Sequence, residues 1–209
     1  MKLYSYWRST TSYRVRIALN LKGIDYEIQP VDLLQGEQSD PDYVELNPIR
    51  GVPTLITDDG TVLTQSMAIL DYLDQIAPDP PLLPQDDPIK RARILAAAMV
   101  FATDVHPVNN LKVIQKLPGV STQSQRVEWM LYWMDLGFKA YAELIAPKAT
   151  YSFGQTPTLA DVCFVAQAYN ADRWGLDLAP YPRLVEINEN CLATPAFAAA
   201  KPDQQRESK

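Results

Sequence analysis

Histidine and cysteine are scarce in this chain: it has one histidine, His106, and two cysteines, Cys163 and Cys191. The cysteines stand far apart and in no metal-ligand spacing, so neither a metal centre nor a disulfide framework is expected. The absence of Cys-x-x-Cys argues against a thioredoxin-type oxidoreductase. Two reduced, buried thiols in a cytoplasmic protein are the expectation. Long apolar runs are missing as well. The longest nearly uncharged stretch, 94–103, is too short to span a bilayer, so no membrane segment is predicted. Residues 1–6 lack the apolar core of a signal peptide. Positive charge is in deficit, 19 Lys and Arg against 25 Asp and Glu, for a net charge of −6. That balance argues against a nucleic-acid binder, which needs a basic footprint. An anionic ligand would have to be met by a local cationic patch rather than by the overall field.

What is present is an ordinary globular composition, 47% hydrophobic and 21% charged, in a chain long enough for one or two domains. Residues 1–77 alternate strand and helix. A strand over 2–5 precedes a helix over 12–22 that Gly23 is placed to end, and a second strand covers 26–31. A polar stretch over 35–42 leads to a short helical turn ending at Asn47-Pro48. Residues 54–57 and 61–64, joined by Asp58-Asp59-Gly60, read as a β-hairpin. Ser66 is placed to cap a helix running to about residue 76, and the order becomes βαβαββα.

Residues 78–88 hold five of the 17 prolines and predict a stiff linker between domains. Beyond them the periodicity is helical, which predicts an all-α domain over 89–200 and a fraying polar tail over 201–209. Helices are expected at about 89–115, 122–146, 159–173, 183–191 and 195–200. His106-Pro107 should kink the first, because proline removes a helical N–H and disfavours α geometry before it. Thr158-Leu159-Ala160-Asp161 has capping-box form and a structural role. Trp129, Tyr132, Trp133, Phe138 and Tyr141 fall at helical spacings and read as core or dimer packing.

Three features carry chemistry. Ser9-Thr10-Thr11-Ser12 puts four hydroxyl residues between a strand and a helix, with Arg8 before them and Arg14 and Arg16 after. Hydroxyls there sit at the positive end of a helix, which suits an anion or a thiolate, although a plain N-cap accounts for such a run taken alone. Arg14 and Arg16, inside the helix, read as structural or surface charges. Val52-Pro53 leads the third strand, where a cis bond would present the Val52 backbone to a ligand as an edge partner. An ordinary trans proline starting an edge strand is the plainer alternative. Gln65-Ser66 then opens a helix and forms a second anion site, suited to a carboxylate.

With these residues the chain resembles the glutathione transferases, and the zeta class in particular, over nearly all of residues 1–200. The resemblance rests on the stretch from Ser9 to Leu19, Asn47-Pro48, Val52-Pro53-Thr54-Leu55, Gln65-Ser66 and the Pro-rich linker. It continues through His106-Pro107-Val108-Asn109-Asn110-Leu111, Thr158-Leu159-Ala160-Asp161 and Asp177-Leu178-Ala179-Pro180-Tyr181-Pro182. It implies an α/β thioredoxin-like N-terminal domain (βαβαββα) followed by an all-α C-terminal domain, and a homodimer. It also implies glutathione as cofactor and isomerisation of maleylacetoacetate to fumarylacetoacetate, with maleylpyruvate the substrate of close relatives. By the same resemblance Ser9, Thr10 and Thr11 lie around the glutathione sulfur, and Val52 pairs with the cysteinyl backbone. Gln65 and Ser66 hold the γ-glutamyl carboxylate, while Gln38, His106 and Asn110 make further contacts. Arg173 reaches the acidic substrate, with Arg8 as a second candidate.

One departure stands out. The family often carries Ser-Ser-Cys where this chain has Ser9-Thr10-Thr11, so chemistry that needs a protein cysteine at that place is excluded. Isomerisation does not need it. A cis double bond turns trans once it is made temporarily single, which a thiolate adding next to a carbonyl-conjugated carbon achieves. A broader transferase or dehalogenase would use the same thiolate, and a non-catalytic binding protein on this fold is the alternative of another class. Leu111-Lys112, where some maleylpyruvate-type relatives carry arginines, tilts the reading towards maleylacetoacetate.

Overall fold

Along β1 (Lys2–Ser5) Leu3 and Ser5 are buried and their neighbours half-buried, the alternation of a strand with one face on a core. The chain then crosses over through α1 (Thr10–Leu21), which lets β2 (Glu27–Pro30) pair in parallel with β1. After α2 (Pro41–Leu46), β3 (Thr54–Ile56) and β4 (Val62–Thr64) form the expected hairpin, and α3 (Ser66–Ile76) closes the motif. The sheet order is β2-β1-β3-β4, with β3 antiparallel to both of its neighbours. Tyr13, Val15, Ile17 and Leu19 of α1 are fully buried. The helix ends as predicted: Gly23 takes φ +62, and the Ile24 N–H returns to the Leu19 carbonyl at 3.0 Å. The structure is a computed structural model and describes residues 1–205.

Residues 78–87 of the proline-rich stretch form no regular element, and the Asp79–Pro80 bond is cis. Lys22 Nζ bonds both Asp74 Oδ1 at 2.7 Å and the Pro80 carbonyl at 2.6 Å, out of contact with water. The helices that follow are α4 (Pro88–Met99), α5 (Leu111–Ile114), α6 (Gln123–Leu144), α7 (Leu159–Trp174) and α8 (Pro182–Leu192). Their core gathers Phe101, Phe138, Tyr141 and Phe164, with Tyr141 stacked on Phe164 at 5.2 Å. Trp129 and Trp133 are half-buried, and Tyr132, expected in packing, is 63% exposed. The capping box at Thr158 forms: buried Asp161 accepts from the Thr158 N–H and hydroxyl, and also from the Ser152 N–H. Burial pushes the Asp161 carboxyl above its usual range despite those bonds.

The helix expected over 89–115 does not run through. It leaves α geometry at Val100, and residues Val100–Val105 form a π-helix in which the His106 N–H reaches the Phe101 carbonyl at 3.1 Å. The cause is Pro107, which has no N–H to continue the ladder and whose ring would meet the carbonyl four residues back. Widening the last turn relieves that contact. His106 nevertheless keeps α geometry, φ −63 and ψ −43, against the bias of a residue before proline. Gly137 makes room on α6, since a Cβ there would run into a methyl of Val105.

Among the described residues two compact units result, 1–81 with 193–205, and Leu82–Leu192. The division between Pro81 and Leu82 lies inside the proline-rich stretch, whereas α9 (Pro195–Ala200) belongs with the first unit rather than with the other helices. It packs on α1, where Asn20 Nδ2 donates to Ala196 O at 3.0 Å and Arg16 Nε to Ala200 O at 3.1 Å. Arg14 and Arg16 are therefore buried rather than surface charges. The tail expected to fray from 201 is ordered at its start: Pro202–Gln204 make a 3-10 turn, and Gln205 Nε2 donates to Ala199 O and Lys201 O. Residues 206–209 of that tail lie outside the described residues.

Candidate functional site

Ser9 is the N-cap of α1. Its backbone is extended (φ −67, ψ 122), its carbonyl accepts from the Tyr13 N–H, and its Oγ accepts from the Ser12 N–H at 3.2 Å. The same Oγ lies 2.8 Å from Thr11 Oγ1, and Thr11 Oγ1 donates to the Val52 carbonyl at 2.8 Å. Three of the residues expected around one ligand, Ser9, Thr11 and Val52, are thus joined by hydrogen bonds although 41 residues separate the last two. Thr10, also expected there, is buried at the first position of the helix.

Val52 is held from behind. The Val52–Pro53 bond is cis, which settles the alternative left open by the sequence. The preceding carbonyl, Gly51 O, accepts from Tyr43 Oη at 2.6 Å and Asn47 Nδ2 at 2.8 Å. Asn47 also donates to Thr54 Oγ1, and that hydroxyl lies 2.9 Å from Tyr43 Oη. Burial raises the Tyr43 phenol above its ordinary value, so it stays a neutral donor. Asn47 and Tyr43 set the loop that presents Val52. The motif Asn47-Pro48 was visible in the sequence, but Tyr43 was not singled out there.

Gln65 takes φ +68 and ψ 115, a conformation that non-glycine residues adopt at a cost of about 1–3 kcal/mol and that concentrates at ligand-binding positions. It caps α3 through its carbonyl, to which the Ile69 N–H returns at 3.0 Å, and its side chain is exposed. Ser66 follows, buried at the helix N-terminus, where the dipole favours an anion. Arg14 Nη1 lies 3.5 Å from Ser66 Oγ, so a buried cation stands behind Ser66. The sequence left Arg14 as a structural or surface charge, and its burial beside Ser66 decides for the structural one.

Gln38, in the 3-10 turn Glu37–Ser39, has a buried Oε1 with no hydrogen-bond partner. An acceptor in that state suits the N–H of a peptide-like ligand. Arg8 stacks its guanidinium on the Trp7 ring at 4.7 Å and donates to Tyr6 Oη at 3.1 Å.

The second unit carries the remaining candidates. His106 is half-buried at the end of the π-helix, and Asn110 caps α5 by accepting from the Lys112 N–H at 3.1 Å. Trp129 Nε1 donates to Val108 O at 3.0 Å, and Asn109 Nδ2 to Met130 O at 3.3 Å, which ties the segment between them to α6. Trp129 is thus an anchor for that segment, a role its helical spacing did not reveal. Arg173 is exposed in the last turn of α7, with its guanidinium 4.8 Å from the Trp174 ring centre.

The first unit can therefore offer a hydroxyl donor at a helix N-terminus, a backbone edge beside it and a carboxylate site at a second helix N-terminus. Comparison with known proteins agrees with that chemistry. The family model described as Glutathione S-transferase, N-terminal domain, matches residues 1–75. A maleylacetoacetate isomerase of Pseudomonas aeruginosa is 42% identical over 211 residues, covering 100% of this chain and 99% of the relative. A solved holo structure of a maleylpyruvate isomerase, described as a bacterial zeta-class glutathione transferase, superposes with a TM-score of 0.95 at 40% identity over the whole of both chains. A maleylacetoacetate isomerase of Anaeromyxobacter dehalogenans solved with bound glutathione gives 0.87 at 40% identity, covering 100% of this chain and 97% of that one. The chain belongs to the zeta class of the glutathione transferases, the family of the maleylacetoacetate and maleylpyruvate isomerases.

Proposed function

We infer that the protein is a glutathione-dependent cis–trans isomerase that converts maleylacetoacetate to fumarylacetoacetate. The observation that carries the reading is the hydroxyl network at the N-terminus of α1, joined to the residue before cis-Pro53. It stands in a chain 42% identical, end to end, to a maleylacetoacetate isomerase. The buried, unpartnered Gln38 Oε1 and the strained Gln65 beside Ser66 fit a peptide-like cofactor with a carboxylate at one end. Glutathione, when bound, supplies the thiolate that adds to the conjugated double bond and leaves once the bond has turned.

The protein's part is to favour that thiolate. A free thiol near pKa 8.5 must drop by about two units, roughly 2.7 kcal/mol. The N-terminus of α1 offers about 0.3–1 kcal/mol and a hydroxyl bonded to a charged acceptor about 1.5–3 kcal/mol. Ser9 as main donor, with Thr10 and Thr11 completing the cluster, is sufficient without a general base. Val52 pairs with the cysteinyl backbone, Gln65 and Ser66 hold the γ-glutamyl carboxylate, and Gln38, His106 and Asn110 make further contacts. Arg173, with Arg8, binds the carboxylates of the substrate, since guanidinium grips carboxylate through two parallel bonds.

The test is glutathione binding with a titration of the bound thiol. The wild type binds glutathione with its thiol pKa lowered by about two units, and Ser9→Ala removes most of that drop. No binding, or an unchanged pKa in Ser9→Ala, overturns the assignment. Maleylpyruvate as substrate is the second reading, favoured by the match to the maleylpyruvate isomerase. A homodimer in the cytoplasm completes the proposal. The buried cysteines Cys163 and Cys191 suit a reducing compartment, and among the described residues no helix is long and apolar enough to cross a membrane.

A further inference from the structure

A hydroxyl has one proton to give. Thr11 Oγ1 gives its proton to the Val52 carbonyl at 2.8 Å, because a carbonyl only accepts. In the 2.8 Å contact between Ser9 Oγ and Thr11 Oγ1, Ser9 is then the donor. The Ser12 N–H donates to Ser9 Oγ in turn, so the network has one direction: Ser12 N–H to Ser9, Ser9 to Thr11, Thr11 to Val52.

From this direction we propose that Thr11 is a positioning residue, which acts on the cofactor backbone through the Val52 carbonyl and not on the thiolate directly. The inference rests on the proposed glutathione site. Thr11 holds the Val52 peptide beside Ser9, and the carbonyl keeps a second lone pair for the edge-strand partner. Thr11 also accepts the Ser9 proton until a thiolate takes it. The exchange favours the thiolate, because a charged acceptor binds a hydroxyl more strongly than a neutral one. Only Ser9, among the hydroxyls of this network, has a proton that can turn to sulfur without releasing Val52. Thr11 thus serves as a strap between the sulfur site and the backbone site.

The two roles separate by sign. Loss of a direct thiolate donor raises the pKa of the bound thiol. Loss of a strap that also competes for the Ser9 proton does not raise it, but weakens the grip on the cofactor backbone. The experiment measures, for wild type, Thr11→Val and Thr11→Ser, the KM for glutathione and the pKa of the bound thiol by thiolate ultraviolet absorbance. Thr11→Val is expected to raise KM for glutathione about tenfold, with the thiol pKa unchanged or lower. Thr11→Ser, which keeps the hydroxyl, is expected to restore KM. A thiol pKa raised by about one unit or more in Thr11→Val, an unchanged KM, or a Thr11→Ser that fails to restore KM in a folded protein overturns the strap. A wild type that does not bind glutathione would instead overturn the glutathione site itself, before any variant is compared.

Discussion

Arg16 Nε donates to the carbonyl oxygen of Ala200 at 3.1 Å, across 184 residues of sequence. The same buried guanidinium donates from Nη1 to Ser5 Oγ at 3.0 Å and from Nη2 to Trp7 O at 2.9 Å. One side chain therefore ties α9 to the turn that leads into Ser9. A guanidinium matches three acceptors through its fixed fork, and lysine does not.

Removing that fork leaves buried acceptors without donors. Arg16→Met is expected to destabilise the protein by roughly 3 kcal/mol or more, since each bond from a charged donor contributes about 1.5–3 kcal/mol. Arg16→Lys should recover only part of the loss. Urea denaturation checks both, and an Arg16→Met protein within about 0.5 kcal/mol of wild type would show that the contacts carry no net stability.

Lys22 and Asp74 make a second buried tie, at 2.7 Å, with side chains 0% and 2% exposed. Breaking such a pair from one side costs about 3–5 kcal/mol, because the other charge stays buried, whereas replacing both partners by apolar groups is often neutral. Lys22→Met is expected to destabilise by that amount, and Lys22→Met with Asp74→Leu to regain most of it. A double variant as unstable as the single one would contradict the explanation.

Tyr141 links stability to alkaline pH. Burial, followed by the nearby Asp161 carboxylate, pushes its phenol well above the ordinary value of 10, while Ser152 Oγ at 2.7 Å works the other way. With the folded pKa above the unfolded one, the contribution is complete below about pH 10 and is lost as pH rises towards the folded value. The loss amounts to about 1.4 kcal/mol per pH unit. Tyr141→Phe removes that slope, at a neutral-pH cost of about 1 kcal/mol for the Ser152 hydroxyl. Denaturation curves at about pH 9 and about pH 11 should therefore bring the two proteins closer at the higher pH. Parallel losses would contradict the assignment.

Arg173 tests the substrate side. Arg173→Ala is expected to lower kcat/KM for the acidic substrate by about a hundredfold, the loss of a charge-assisted contact, and to leave the thiol pKa of bound glutathione unchanged. Arg173→Lys should restore little, since the bidentate geometry is gone. Steady-state kinetics on the three proteins decides; unchanged kinetics in Arg173→Ala removes it from the site.

Much of the first unit was legible because its signals are local. Gly23 ends α1, which starts at Thr10 rather than at the expected Ser12, Asp58-Asp59-Gly60 joins β3 to β4, and α3 covers the span expected after Gln65. What the sequence concealed depends on contacts between distant residues. Arg14 and Arg16 read as structural or surface charges, and only Ser66 and Ala200 placed beside them decide between the two. The return of α9 to α1 is invisible for the same reason, since helical periodicity says which face is apolar and not what covers it. Pro107 announced a break in the helix but not its form: the turn widens to a π-helix where Gly137 makes room. The Thr11 contact to Val52 likewise needs the fold, because 41 residues separate the two.

The loss of the enedione absorbance of maleylacetoacetate or maleylpyruvate, with purified protein in the presence and absence of glutathione, tests the central claim most directly. Rapid turnover that requires glutathione is the predicted result, with the preferred substrate giving the higher kcat/KM. A protein that binds glutathione yet turns over neither compound would contradict the isomerase and point to a transferase or dehalogenase acting through the same thiolate.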